Sequence, residues 1–364
     1  MRITELDTPA LLIDLEIMER NLARAAQYAR ANDLVLRPHT KTHKIPELAR
    51  RQLASGAAGL TVAKVGEAEV MIEAEPPELL VAYPVIGRRK LERLMALGRR
   101  TKLLVALDHL LPARQLSDAA REARLSIGVL AEIDVGLGRV GVRPGPELAQ
   151  LVEGIARLPR LTLDGLAFYP GHIRGVDQPA LEALDQVGER VREALAVLRR
   201  GGLAARIVSG GSTPTLFHSH RIRELTEIRP GTYIFNDRNT LATGACTLAD
   251  CAASILATVV STARSGQIII DGGSKTFSSD RHLASPEASF GYVVEAPGAV
   301  FTKMNEEHGY IDVRRAEREF SVGDRLRVIP NHICTAMNLH EAVYGVRGDA
   351  VEQIWKVEAR GKLQ

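Results

Sequence analysis

The sequence predicts an α/β protein in two parts, a TIM (β/α)8 barrel over residues 1–242 and an antiparallel β domain over residues 243–364. Three observations carry this. From residue 32 to about 235, short apolar runs rich in branched residues alternate with amphipathic stretches. Eight such runs fall within that span, the number a closed barrel of parallel strands requires. Beyond about residue 245 helical periodicity stops, and strand-like runs follow one another across Gly, Pro and polar turns.

In chain order, "TPALLIDLEIMERNLARAAQYA" reads as one strand for the C-terminal domain followed by the first helix of the barrel. The barrel strands are then Leu34–Leu36, Gly59–Ala63, Leu79–Tyr83, Leu103–Leu107, Ser126–Ile133, Leu161–Phe168, Arg206–Val208 and Ile228–Phe235. They are near-continuous apolar runs, as strands buried on both faces must be. Between them "IPELARRQLASG", "KVGEAEVMIEA", "LLPARQLSDAAREA" and "LEALDQVGERVREALAVLRRGG" place apolar residues at helical spacing, the last closed by a glycine pair. An open doubly wound sheet is the alternative, but no GxGxxG follows the first strand. In the second part "ASILATVVSTARSGQIIIDGG", "GYVVEAPG", "GYIDVRR" and "DRLRVIPNH" are the strand candidates.

Composition narrows the function. Charged residues make up 25% and hydrophobic ones 45%, ordinary for a globular protein. The net charge of +3 is too even for a nucleic-acid or anionic-membrane binder, and basic groups are interleaved with acidic ones, as in "LERLMALGRR". No apolar stretch reaches the length of a membrane span, and the N-terminus lacks a signal-peptide layout, so the expected location is cytoplasmic. The three cysteines, Cys246, Cys251 and Cys334, form no disulfide framework. Cys246 and Cys251 read as small core residues.

In a barrel of this kind chemistry sits at the C-terminal ends of the strands. The first strand ends in "LRPHTKTHK", which places Lys41 there. A lysine becomes nucleophilic when burial and neighbouring positive charge depress its pKa, and Arg37, His39, His43 and Lys44 are at hand. Alone, Lys41 would read as a solvated loop residue; the other strand ends argue otherwise. "EIDVGLGRVGV" brings Arg139 after two glycines, and "FYPGH" brings Tyr169 and His172. "VSGGSTPT" offers Ser209, Gly210, Gly211, Ser212 and Thr213, a run of small residues suited to a phosphate, and "RPGTYIFND" offers Tyr233. A lysine, an arginine, a tyrosine and a phosphate cradle on separate strand ends describe a pyridoxal 5'-phosphate site. Further on, "PNHICTAMNLHE" places His332 and Cys334 two residues apart. On a strand both would face one side and could share an ion. Two ligands are too few for a closed structural zinc site. By itself the pair reads as a core cysteine beside a hydrogen-bonded histidine.

Taken together, "LDTPALLID", "RPHTKTHK", "EIDVGLGRVGV", "SGGSTPT", "RPGTYIFND", "EEHG", "PNHICTAMNLHE" and "IWKVEARG" resemble the family of D-threonine aldolases and D-serine dehydratases, which have the alanine-racemase fold. The resemblance runs over nearly the whole chain. It implies that Lys41 holds the cofactor covalently and acts as a base. It implies that His39 and Arg139 lie by the cofactor, that Tyr169 flanks its ring or the substrate, and that Ser209 to Thr213 with Tyr233 bind the phosphate. It assigns His332 and Cys334 to a divalent metal, zinc first, with manganese or magnesium as alternatives. It also implies a homodimer. Some aldolases carry a histidine where this chain has Gly175, and His172 stands three residues earlier.

The expected function is a lyase on a small β-hydroxy D-amino acid, cleaving it to glycine and an aldehyde in the manner of D-threonine aldolase. The alternative is a dehydratase that turns D-serine or 3-hydroxy-D-aspartate into a keto acid and ammonia. The His-Cys pair resembles the dehydratases; the length and the ending resemble the aldolases. An amino-acid racemase needs a second base on the opposite face, and no motif supplies the tyrosine that alanine racemases use. A non-catalytic pyridoxal phosphate carrier would lack the C-terminal domain and the HxC pair.

Overall fold

The protein is described from a computed structural model, for residues 1–284 and 289–364. Along the chain, β1 (Ala10–Asp14) and α1 (Leu15–Ala31) precede an alternating series. This series is β2 (Val35–Leu36), α2 (Pro46–Ala54), β3 (Leu60–Val62), α3 (Val65–Met71), β4 (Glu78–Val81), α4 (Arg88–Leu97), β5 (Lys102–Leu107) and α5 (Leu110–Ala123). It continues with β6 (Ile127–Glu132), α6 (Pro146–Ala156), β7 (Leu161–Ala167), α7 (Gln178–Arg200), β8 (Ile207–Gly210) and β9 (Glu227–Ile228). The remainder is α8 (Arg238–Ala242), β10 (Ala253–Arg264), β11 (Gln267–Ile270), α9 (Ser274–Phe277), β12 (Gly291–Val293), β13 (Val300–Met304), β14 (Gly309–Asp312), β15 (Arg325–Pro330), α10 (Ile333–Met337), β16 (Ala342–Arg347) and β17 (Ala350–Lys356). Two compact units result, one of Met1–Ala23, Thr42–Ile45 and Thr232–Arg360, the other of Arg24–Lys41, Pro46–Gly231 and Gly361–Gln364.

In the second of these units β2 to β9 form an eight-stranded sheet in the order β2-β9-β8-β7-β6-β5-β4-β3, every pairing parallel. A parallel bridge between His39 and Thr61 joins the two ends, so the sheet curls into the expected barrel. Parallel partners in register point to the same face. One face carries Leu80, Leu104, Ala106, Leu130, Ala167 and Ile207, which pack as one cluster. Each fully buried leucine here contributes about 1.5–3 kcal/mol. The same unit holds a buried polar group. Arg37 Nε donates to Glu227 Oε2 at 2.7 Å and Arg37 Nη2 to Glu78 Oε2 at 2.6 Å. Arg37 is therefore neutralised by two carboxylates and is not the source of positive charge for Lys41 that its place in "LRPHTKTHK" indicated. The helices follow their sequence signals closely. α7 starts at Asp177, whose Oδ1 accepts from the Ala180 N–H at 3.1 Å, and buries Leu184, Val187, Val191, Ala194 and Leu198 along one stripe.

The eighth barrel strand is shorter than its apolar run. It ends at Ile228, because Pro230 has no N–H to continue the ladder, and Tyr233 lies in a 3-10 turn, Thr232–Ile234.

The other unit is built on a sheet with the path β13-β14-β11-β10-β1-β16-β17, to which β15 adds by pairing with both β10 and β12. β1 belongs to this sheet, as "TPALLID" indicated. Its pairing with β10 is antiparallel, but its pairing with β16 is parallel, so the sheet is mixed rather than purely antiparallel. Ala10 and Leu12 alternate onto one face and pack with Leu6, Leu256 and Val346. The three cysteines are free. Among the described residues no helix is long and apolar enough to cross a membrane.

Candidate active site

β2 leads into a 3-10 turn, Thr40–Thr42, that carries a half-buried Lys41. The Lys41 backbone N–H donates to His39 Nδ1 at 3.4 Å, so His39 helps hold the turn. Lys41 Nζ lies 5.9 Å from the centroid of the Tyr169 ring, two residues beyond β7. The Arg139 guanidinium lies 4.9 Å from the same centroid. Two side chains from two strand ends thus meet on an aromatic ring carried by a third.

The loop that presents Arg139 is organised by Asp134. Its Oδ1 accepts from the N–H groups of Gly136 and Gly138, each at 3.0 Å. Burial pushes the Asp134 carboxyl up, but the N–H groups of Gly138, Gly136 and Leu137 outweigh it and hold it below its usual range. His172 packs over the open face of Gly136, where a Cβ would stand 3.2 Å from its Cε1 and Nε2. Burial first, and the Arg190 charge second, lower its pKa, with Asp134 opposing. This shift favours the neutral imidazole, the form that accepts a proton.

The run that ends β8 and follows it divides by role. Ser209 is fully buried, and its Oγ donates to Glu227 Oε1 at 2.6 Å and accepts from Arg229 Nη1 at 3.0 Å. Its hydroxyl is committed to the barrel's internal charge network. Gly210 is a position of close approach, since a Cβ there would sit 2.3 Å from Phe168 Cζ. Gly211 has φ 89°, which turns the chain through a conformation that favours glycine. The backbone N–H groups of Gly211 and Ser212 are buried and meet no acceptor among the described residues. Such groups are costly unless a ligand satisfies them, and a phosphate does so. The Ser212 hydroxyl shares a hydrogen bond with Thr215 Oγ1 at 3.0 Å, and Thr213 is buried beside it. A lysine, an arginine over an aromatic ring and an unsatisfied anion cradle fit pyridoxal phosphate. Gly210→Ala should force Phe168 aside and lower stability by about 1–3 kcal/mol. Denaturant melting reads the stability, and retention of cofactor absorbance on dialysis reads the cradle.

Tyr233, in the other unit, is buried in its 3-10 turn. The same unit holds the HxC pair. His332 and Cys334 are not on a strand: β15 ends at Pro330, His332 is the N-cap of α10, and Cys334 lies in its first turn. Their side chains nonetheless hydrogen-bond to each other. The charge of Cys334 is the largest influence on His332, and with Asp237 it overcomes burial and pushes the imidazole up to about 11. His332 Nδ1 hydrogen-bonds Asp237 Oδ2 at 3.0 Å, which leaves Nε2 for an ion. Cys334 Sγ shares a hydrogen bond with Thr42 Oγ1 at 3.2 Å and lies 3.6 Å from Thr232 Oγ1. One imidazole and one thiolate suit zinc, with open positions for water and substrate. Among the described residues no cluster of three or more His, Cys, Asp or Glu is arranged as a metal cage. Thr42, Thr232 and Asp237 were not singled out from the sequence, although all three lie inside the motifs quoted above.

Comparison with known proteins gives a consistent picture. The alanine racemase N-terminal domain matches residues 13–239 and a putative serine dehydratase domain matches residues 252–346. A D-threonine aldolase of Arthrobacter sp is 34% identical over 99% of this chain and 94% of its own length. A D-threo-3-hydroxyaspartate dehydratase of Delftia sp. (strain HT23) is 35% identical over 96% of this chain and 97% of its own. The crystal structure of D-threonine aldolase from Filomicrobium marinum superposes with a TM-score of 0.93 at 32% identity, covering 100% of this chain and 98% of that one.

Proposed function

This chain belongs to the pyridoxal phosphate-dependent lyase family in which an alanine racemase N-terminal domain precedes a serine dehydratase domain, and on that footing we propose that it is an aldolase of the D-threonine type. It would cleave a β-hydroxy D-amino acid to glycine and an aldehyde. The observation that carries the reading is the convergence of Lys41 and Arg139 on the Tyr169 ring.

Lys41 would be the covalent attachment point, and Arg139 would help to hold the cofactor. Gly211 and Ser212 offer backbone N–H groups to the phosphate, with Gly210, Thr213 and Tyr233 as its further expected contacts. Ser209 supports this loop from below through Glu227 and Arg229. Pyridoxal phosphate, when bound, supplies an electron sink for the carbanion left when a bond to Cα breaks. His332 and Cys334 would hold a divalent ion, which when bound would supply Lewis acidity to the β-hydroxyl, and zinc suits the thiolate. His172, neutral and seated over Gly136, takes the β-hydroxyl proton, which commits the electrons to cleaving Cα–Cβ. If Lys41 instead takes the Cα proton, the β-hydroxyl leaves as water, and hydrolysis of the resulting imine takes up one water to give a keto acid and ammonia. The His-Cys pair favours this second reading, dehydration of D-serine or 3-hydroxy-D-aspartate, and the relation to the Delftia dehydratase adds to it. The protein is expected to work as a homodimer in the cytoplasm.

One assay separates the readings. With D-threonine the purified protein should release glycine and acetaldehyde in equal amounts. Keto acid with ammonia as the only products from D-threonine and D-serine would replace the aldolase reading with the dehydratase one. No turnover of any β-hydroxy D-amino acid would overturn both.

A further inference from the structure

We propose that Asp237 is the positioning residue of the metal pair, holding His332 in the one tautomer that presents Nε2 to an ion. The proposal rests on the reading of His332 and Cys334 as metal ligands, and deepens it.

Asp237 is buried, with 1% of its side chain exposed. Its Oδ1 accepts from the Thr240 N–H and from Thr240 Oγ1, each at 2.7 Å. Its Oδ2 accepts from the Ile333 N–H at 3.1 Å and shares a hydrogen with His332 Nδ1 at 3.0 Å. A backbone N–H can only donate, so each oxygen already faces an obligate donor. Three donors already point at the two oxygens, and an imidazole nitrogen holds a proton more firmly than a carboxylate does, so the hydrogen shared with His332 is assigned to Nδ1. A neutral imidazole protonated on Nδ1 has its lone pair on Nε2. The carboxylate also makes the ring a stronger donor to a cation, as carboxylates behind metal-bound histidines do. The Ile333 N–H fixes Asp237 relative to the very residue that follows His332, so ring and carboxylate are located by the same helix start.

An amide cannot take this place. Whichever way the new side chain of Asp237→Asn turned, its NH2 would either face a backbone N–H or donate to His332 Nδ1. The second arrangement would push the ring hydrogen to Nε2.

The test is zinc affinity, with no turnover in the readout. Zinc binding to the full-length, cofactor-loaded protein is measured by competition with a chromophoric chelator. Asp237→Asn should bind zinc about 10–100-fold more weakly than the native protein. His332→Ala, the reference for loss, should not bind at this site. Thr240→Val removes one hydrogen bond to Asp237 without touching His332, and should lower the melting temperature while leaving zinc affinity within about twofold, that is about 0.4 kcal/mol. Equal affinity of Asp237→Asn and native protein overturns the proposal alone, and so does an equal loss in Thr240→Val, which would make the effect structural. A native protein that binds no zinc would overturn the metal reading itself. Should Asp237→Asn not fold, nitrogen NMR of histidine-labelled, zinc-loaded native protein decides. A hydrogen on Nδ1 with Nε2 bound to zinc is expected, and zinc on Nδ1 overturns the proposal.

Discussion

Lys41→Ala is expected to cut lyase turnover by at least about 10²–10⁴-fold, because it removes a positioned proton acceptor along with the covalent attachment of the cofactor. The expectation follows from where the side chain lies. Lys41 is held in a 3-10 turn by the backbone bond to His39 Nδ1, and its Nζ reaches over the Tyr169 ring that Arg139 also covers. Neither neighbour replaces it, since Arg139 cannot give up its proton and the Tyr169 ring offers no amine. Two measurements separate attachment from folding. Borohydride reduction of the native protein, followed by peptide mapping, should place the label on Lys41. Recovery on Lys44, whose Nζ donates to Asn338 Oδ1 at 2.9 Å, or on Lys64, which stacks on Tyr83 at 3.5 Å, would overturn the assignment. In Lys41→Ala the phosphate loop is untouched, so the variant should still bind cofactor reversibly and melt close to the native protein. A variant that fails to fold would show that the lysine serves the barrel rather than the chemistry.

What could be read from the sequence, and what could not, divides by the range of the forces involved. The eight barrel strands were legible because a parallel strand covered on both faces has to be apolar along its length, and Leu79, Leu80 and Val81 or Leu103 to Leu107 satisfy that without help from context. The end of β9 was not, since Tyr233, Ile234 and Phe235 read as a continuation of the strand while Pro230 removes the hydrogen bond that a longer strand needs. β13, β16 and β17 went unmarked for a different reason. In β17 most side chains are exposed, including Ile354 at 58%, so no apolar periodicity announces it. The parallel pairing of β1 with β16 links residues over three hundred positions apart, which no local pattern encodes.

The same division holds in the candidate site. Lys41, Arg139 and Tyr169 stand at strand ends, and strand ends can be placed from the strands. Arg37 could not be excluded as a charge near Lys41 until Glu227 and Glu78 were seen on either side of it, 190 and 41 residues away. Ser209 looked like part of a phosphate loop by composition, yet its hydroxyl is held between Glu227 and Arg229. Asp237 and Thr42 hydrogen-bond to partners 95 and 292 residues distant. In each case the residue type was visible, and its role depended on which distant group the fold set against it.

Stripping divalent metal from the purified protein is expected to abolish lyase activity and to leave cofactor absorbance and the melting curve nearly unchanged. On the proposed reading His332 and Cys334 would supply two ligands on one short helix start, so an ion there would be held by few bonds and chelators should remove it. The surrounding structure does not need it. Asp237 is satisfied by Thr240, Ile333 and His332, and Cys334 has hydrogen bonds to Thr42 and His332, so these side chains keep their partners without the ion. Activity depends on it because a β-hydroxyl near its ordinary pKa gives up neither its proton nor its oxygen at neutral pH without a Lewis acid. Re-addition of zinc should restore turnover more fully than magnesium, since a thiolate favours the softer ion. His332→Ala and Cys334→Ala should each reproduce the stripped state, and added metal should not rescue them. Full activity in protein verified free of metal would remove the ion from the reaction and leave His332 and Cys334 as a structural pair.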